Sequence, residues 1–116
     1  MDVNTFEIPV TSEPNQTFRT TIPIDGINKT FIFNIRFNSG SGYWVMTLTD
    51  DLTNRNLVDS IPFFAGIFPA ANLLEQFAYL NIGSAYVVKV NPDIVEENPN
   101  AETLGSGFKL FWSDTR

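Results

Sequence analysis

The feature that most constrains this chain is alternation with period two around residues 28–49. Phe31, Phe33, Ile35 and Phe37 fall on one face of an extended segment, and Thr30, Ile32, Asn34 and Arg36 fall on the other. Successive side chains of a strand point to opposite sides, so this pattern specifies a strand with one buried face. Asn38-Ser39-Gly40-Ser41-Gly42 supplies a flexible connection, and the chain returns through 43–49 with Trp44, Met46 and Leu48 on one face. Residues 28–49 therefore read as a β-hairpin.

The same rule finds further strands. Phe6, Ile8 and Val10 alternate with polar neighbours or proline. Phe18, Ile22 and Ile24 oppose Thr17, Arg19 and Thr21, and Asp25-Gly26 then supplies a tight turn. Asp50-Asp51 and Thr53-Asn54 mark the next turn, before a short strand over 55–60. A strand over 82–90 is expected to direct Tyr86, Val88 and Val90 to one face. A long polar loop over 91–107 precedes a last strand over 108–112, with Phe108, Leu110 and Trp112 on its apolar face.

Residues 61–82 are ambiguous. Leu73, Leu74, Phe77 and Leu80 have helical spacing behind Asn72, a residue type that caps helices, whereas Tyr79-Leu80-Asn81-Ile82 also reads as extended. The sum is an all-β chain: a small antiparallel β-sandwich or barrel of about six to seven strands with at most one short helix. No linker or internal repeat divides it, so residues 1–116 are read as a single β domain. At this length one core is affordable and two are not. The aromatic residues, 11 Phe, 3 Tyr and 2 Trp, are what fills it.

Composition narrows the chemistry. With no Cys, thiolate catalysis and disulfides are excluded; with no His, the commonest general base and transition-metal ligand is missing. Ser and Thr hydroxyls thus have no imidazole to activate them, and no local pattern pairs a Ser with Lys29, Lys89 or Lys109. Asp50-Asp51 reads as a turn. Asp93, Glu96, Glu97 and Glu102 read as a solvated loop, because their spacing does not match a Ca²⁺-binding EF-hand. Ser39-Gly40-Ser41-Gly42 lacks the Lys and following helix of a phosphate-binding loop. No catalytic, cofactor or metal residue is assigned.

Thirteen acids against seven scattered bases give a formal charge of −6. This excludes a phosphate-neutralising surface and disfavours anionic membranes, so neither nucleic acid nor membrane is an expected partner. Residues 1–5 have neither a cationic start nor an apolar core and do not read as a signal peptide. The apolar stretch 61–71 is too short to span a bilayer and is broken by Pro62, Gly66 and Pro69. The Asn15-Gln16-Thr17 and Asn28-Lys29-Thr30 sequons are therefore read as polar residues at strand starts. A cytosolic site of synthesis is expected.

Four segments in order carry a resemblance. They are Ile8-Pro9-Val10 with Asn15-Gln16-Thr17-Phe18; residues 33–50, with Arg36-Phe37-Asn38, Trp44 and Asp50; Asn72-Leu73-Leu74 with Phe77-Ala78-Tyr79-Leu80-Asn81-Ile82-Gly83; and Thr103-Leu104-Gly105 with Lys109-Leu110-Phe111-Trp112. Together they resemble the small baseplate plug proteins of contractile-tailed phages, typified by a cyanophage plug. Two departures stand out: Thr47 occupies a position usually acidic, and 61–71 is unusually rich in Pro and Phe. The resemblance implies a virion structural role without catalytic residues. It places the protein at the centre of the tail baseplate, alongside hub, spike, tail tube or initiator proteins. The implied state is multi-copy within a symmetric assembly put together in the host bacterial cytoplasm.

Two other classes compete with that reading. One is a non-catalytic β module recognising carbohydrate or a receptor, for which exposed aromatics on one face would speak. The other is a small hydrolase, which would need coupled carboxylates in a deep pocket. The interface candidates follow from crowding: Phe63, Phe64, Ile67 and Phe68 share a stretch that its prolines and glycine keep from packing inward as one regular strand. Some of those rings are therefore expected to meet a neighbouring subunit.

Overall fold

A computed structural model describes residues 5–66 and 71–115. Seven strands run in the order β1 (Phe6–Ile8), β2 (Asn15–Ile24), β3 (Ile27–Asn38), β4 (Tyr43–Asp50), β5 (Asn56–Pro62), β6 (Ser84–Lys89) and β7 (Phe108–Ser113). They form two antiparallel sheets, β2-β3-β4-β5 and β1-β7-β6. Among the described residues the chain is all-β apart from a short 3₁₀ segment, Glu75–Leu80, kinked at Phe77.

The central hairpin forms where the alternation placed it. Phe31, Phe33 and Ile35 of β3 and Trp44, Met46 and Leu48 of β4 are all buried. Phe33 pairs with Leu48 and Ile35 with Met46, so both apolar sets share one face. That face meets the second sheet through Trp112, whose ring centroid lies 5.3 Å from that of Phe33 and 6.4 Å from that of Phe31. Phe108 and Leu110 complete the core from β7. Phe37 is only half-buried, because it pairs with Trp44 at the end of the sheet.

Turn chemistry fixes the registers. Asp25 and Gly26 both have positive φ, 54° and 81°, the pattern of a two-residue type I′ hairpin. The β3–β4 tip is tied down rather than loose. Asn38 Oδ1 accepts hydrogen bonds from the backbone of Gly40 and Ser41, and Gly42 N–H donates to Asn38 O at 2.8 Å. Between β4 and β5 the register slips: Met46 faces Ile61 while Leu48 faces Val58, so two residues bulge at Asp59-Ser60, with Ser60 at φ 54°.

The region 61–82 resolves as a connection between the sheets. Phe63 N–H donates to Trp44 O of one sheet and Gly66 N–H to Val87 O of the other. Leu73 N–H then donates to Ala85 O. Leu74 is buried, and Leu73, Phe77 and Leu80 pack against the core from half-buried positions. The expected cap takes a different role. The Asn72 carboxamide oxygen accepts from Leu74 N–H at 2.9 Å and from Ala85 N–H at 3.0 Å, bolting the segment to β6, while the helix itself starts after Leu74 without a side-chain cap.

β6 corrects the facing read from sequence. Its core-facing residues are Ala85 and Val87, opposite Trp112 and Leu110, not Tyr86, Val88 and Val90. Tyr86 is nevertheless fully buried on the other face, Val88 is intermediate, and Val90 is 43% exposed. Ser84 through Val87 are all buried, so the strand carries no alternation to read.

Candidate interaction surfaces

Of the four interface candidates, two can be placed. Phe63 is 0% exposed and belongs to the core cluster, so its ring is consumed inside the domain and is not offered to a neighbour. Phe64, the next residue, points the opposite way and is 45% exposed. It packs edge-on against Tyr43, with ring centroids 5.0 Å apart. Ile67 and Phe68 lie outside the described residues. The pattern follows from extended geometry: adjacent side chains of such a segment cannot both face inward. The aromatic corner Tyr43–Phe64 sits at the start of β4, beside the Asn38–Gly42 tip; nothing in the local sequence singles out Tyr43, which precedes Trp44 on the opposite side of the strand.

The long 91–107 loop is pinned at several points. The Trp44 indole N–H donates to Asn100 O at 2.7 Å, and Ala65 N–H donates to the Asn98 side chain at 2.8 Å. Thr103 O and Thr103 Oγ1 close its last turn, and Val90 N–H donates to Gly107 O. The loop therefore covers the Trp44 end of the sandwich, and its acids Asp93, Glu96, Glu97 and Glu102 remain exposed. Among the described residues, no three or more acids cluster as a metal site.

On the outer face of the larger sheet, the Arg36 guanidinium donates to Asn34 Oδ1, to Thr47 Oγ1 at 3.2 Å and to Ser60 Oγ at 3.0 Å. Thr47 Oγ1 in turn donates to Asp59 Oδ1 at 3.0 Å. Thr47 thus relays between a cation on β3 and a carboxylate on β5, and Ser60 reaches the same Asp59 oxygen at 3.1 Å.

The opposite end of the sandwich has an open groove of about 510 Å³, lined by Ile27, Lys29, Phe31, Asp50, Leu57 and Leu80 among others. Lys29 Nζ donates to Asn81 O, and Arg19 pairs with Asp51 at 2.7 Å. The Thr53 hydroxyl donates to Asp50 Oδ2 at 2.6 Å and holds that carboxyl below its ordinary range; partial burial works against this, and backbone N–H groups and the Lys29 charge assist. Ile27 and Leu52 at the groove mouth are 61% and 92% exposed. Among the described residues, the exposed rings Phe6, Phe64 and Tyr79 lie on β1, in the connection after β5 and on the 3₁₀ segment, and both tryptophans are buried.

Comparison with known families decides what this scaffold is. The family model for the cyanophage baseplate Pam3 plug gp18 matches residues 5–115. The chain belongs to this baseplate plug family. No match emerges among curated proteins. The plug assignment agrees with the resemblance carried by the four segments, and it makes the protein a structural component of a phage tail baseplate, in contact with other baseplate components. Among the described residues, the largest apolar side chains fill the core, and the accessible features include turns, loops, sheet edges, the groove mouth with exposed Ile27 and Leu52, and the Tyr43–Phe64 corner.

Proposed function

We propose that this plug sits at the centre of the baseplate near the end of the tail tube, in several copies, and links hub, spike, tube or initiator subunits as the baseplate assembles in the host cytoplasm. It acts by contact alone and catalyses no reaction. The observation that carries this reading is the division between neighbours Phe63 and Phe64. One ring locks the inter-sheet connection into the core, and the next is held outward, edge-on against Tyr43. A half-exposed aromatic on an ordered support loses little freedom when a partner covers it, which is what an interface anchor requires.

The test is capture of hub and tube proteins by purified plug carrying Phe64→Ser with Tyr43→Ser. Binding is expected to weaken by about tenfold or more, the scale of an interface anchor. The melting temperature should stay near that of the unmodified protein. Phe63→Ser serves as the contrast and should unfold the domain instead. Unchanged partner binding and particle assembly in the double variant would remove the corner from the interface.

A further inference from the structure

The two sheets have four lateral edges, and three of them are blunted. β1 is three residues long. β6 is covered by the backbone of Gly66 and Leu73, which donate to Val87 O and Ala85 O. β5 is broken by the bulge at Asp59-Ser60. β2 is different: it is ten residues long, runs in continuous register with β3 from Asn15 to Ile24, and has no strand beyond it among the described residues. Unmanaged straight edges are pairing templates.

The β2–β3 turn fixes what this edge presents. A two-residue type I′ loop closes on a hydrogen-bonded pair, here Ile24 and Ile27. Alternation then directs the N–H and C=O groups of even-numbered residues toward β3, consistent with Phe37 N–H donating to Pro14 O. Those of Asn15, Thr17, Arg19 and Thr21 point outward, and Pro23 offers only a carbonyl. On the core-side face, Phe18 lies parallel on Phe33, with centroids 5.1 Å apart and planes 6° from coincident. That stack runs across the sheet, so continuing it leads past the edge, where half-buried Phe18 has no further strand beside it.

We propose that the free plug pairs with a second copy through β2, antiparallel, about a two-fold axis at Phe18. This register opposes Thr17 with Arg19 of the other copy and Asn15 with Thr21, so every outward donor meets an outward acceptor. It also extends the Phe33–Phe18 stack through Phe18 of the second copy. A two-fold at Arg19 would set two guanidinium groups directly opposite, which is unfavourable. A two-fold at Thr20 would bring Pro23 into the ladder without an N–H to give. β2 carries no carboxylate, so two molecules of formal charge −6 can meet there without opposing acids. This pairing concerns the isolated plug and stands apart from its contacts in the baseplate.

Sedimentation of the purified full chain tests it, with concentrations up to roughly 200 µM, where weak pairing becomes visible. A concentration-dependent dimer is expected. Thr17→Pro, which removes an outward N–H and leaves the β3 ladder alone, should weaken it by about tenfold or more while circular dichroism is unchanged. The register has its own probe in a chain without Cys. Gln16→Cys with Thr20→Cys places the two thiols of different copies at a non-hydrogen-bonded pair about 4.5 Å apart at Cα, within disulfide reach. The same two positions lie roughly 13 Å apart within one strand, too far to bridge. Mild oxidation should yield a covalent dimer, and Gln16→Cys with Thr21→Cys should not. A chain that stays monomeric throughout, or a dimer insensitive to Thr17→Pro and uncrosslinked by the first cysteine pair, overturns the proposal.

Discussion

Phe33→Ala tests the architecture most directly. The Phe33 side chain is 0% exposed and sits where the two sheets meet. Its ring stacks on Phe18 and meets Phe31 and Trp112 edge-on at 6.4 and 5.3 Å. Truncation removes most of a buried aromatic side chain and leaves a cavity that three rigid neighbours cannot easily fill. Buried Phe→Ala changes cost about 3–5 kcal/mol, and each lost aromatic pair contributes about 0.5–1.5 kcal/mol of that, which argues for the upper part of the range. With an unfolding entropy of about 2.1 cal/mol/K per residue, a domain of this length loses roughly 4 °C per kcal/mol. The melting temperature should therefore fall by about 12–20 °C. Scanning calorimetry gives the shift, and urea titration gives the free energy. Phe64→Ala, at a 45% exposed ring, is the internal reference and should cost no more than about 1 kcal/mol. A Phe33→Ala shift no larger than that of Phe64→Ala would refute the placement of Phe33 at the junction of the sheets.

Gly83 has φ 94°, and a Cβ there would come within 2.5 Å of the Trp112 indole nitrogen and 2.7 Å of Ser113 O, so Gly83→Ala should destabilise by about 2 kcal/mol or more, read from chemical denaturation. Asp50 has a folded pKa below its unfolded value, so its contribution to stability is present at neutral pH and is lost as pH falls through the folded value. Thr53→Ala, which removes the main cause, should move the Asp50 titration upward toward 3.8 by NMR and flatten the acid limb of stability against pH; an unmoved titration would show that the hydroxyl is not the cause. Purified plug should show no turnover of glycans, peptides or phosphoesters, and a reproducible activity abolished by one acid or Ser substitution in a folded variant would contradict the contact-only role.

Much of the fold was legible because its signal is local. β3, β4 and β7 each bury one apolar face while the other is mostly only part-buried and more mixed, so Phe31, Phe33, Trp44, Phe108 and Leu110 announce their direction residue by residue. Asp25-Gly26 likewise names its own turn, since both residues accept positive φ. β6 resisted the same reading. Ser84–Val87 are buried on both faces, and a strand in that position loses the alternation that would tell Val87 from Tyr86. The candidate interface was legible in part. Composition showed that 61–71 holds more rings than one strand can turn inward, but nothing in it says that Phe63 is the one taken into the core and Phe64 the one left out.

The sequence by itself determined the all-β class, the central hairpin, the absence of the usual catalytic nucleophile partners and the membership of the plug family across residues 5–115. Each rests on residue identity, local period or ordered motifs, which need no knowledge of distant neighbours. The tertiary structure alone decided how seven strands divide into two sheets, and with that which edges stay open. It turned Asn72 from a helix cap into a bolt on β6, and Thr47 into a relay between Arg36 and Asp59. It also tied 91–107 to Trp44 through a single indole N–H. These contacts join residues far apart along the chain, and a polar group with several possible partners chooses among them only when packing has brought one within hydrogen-bond reach.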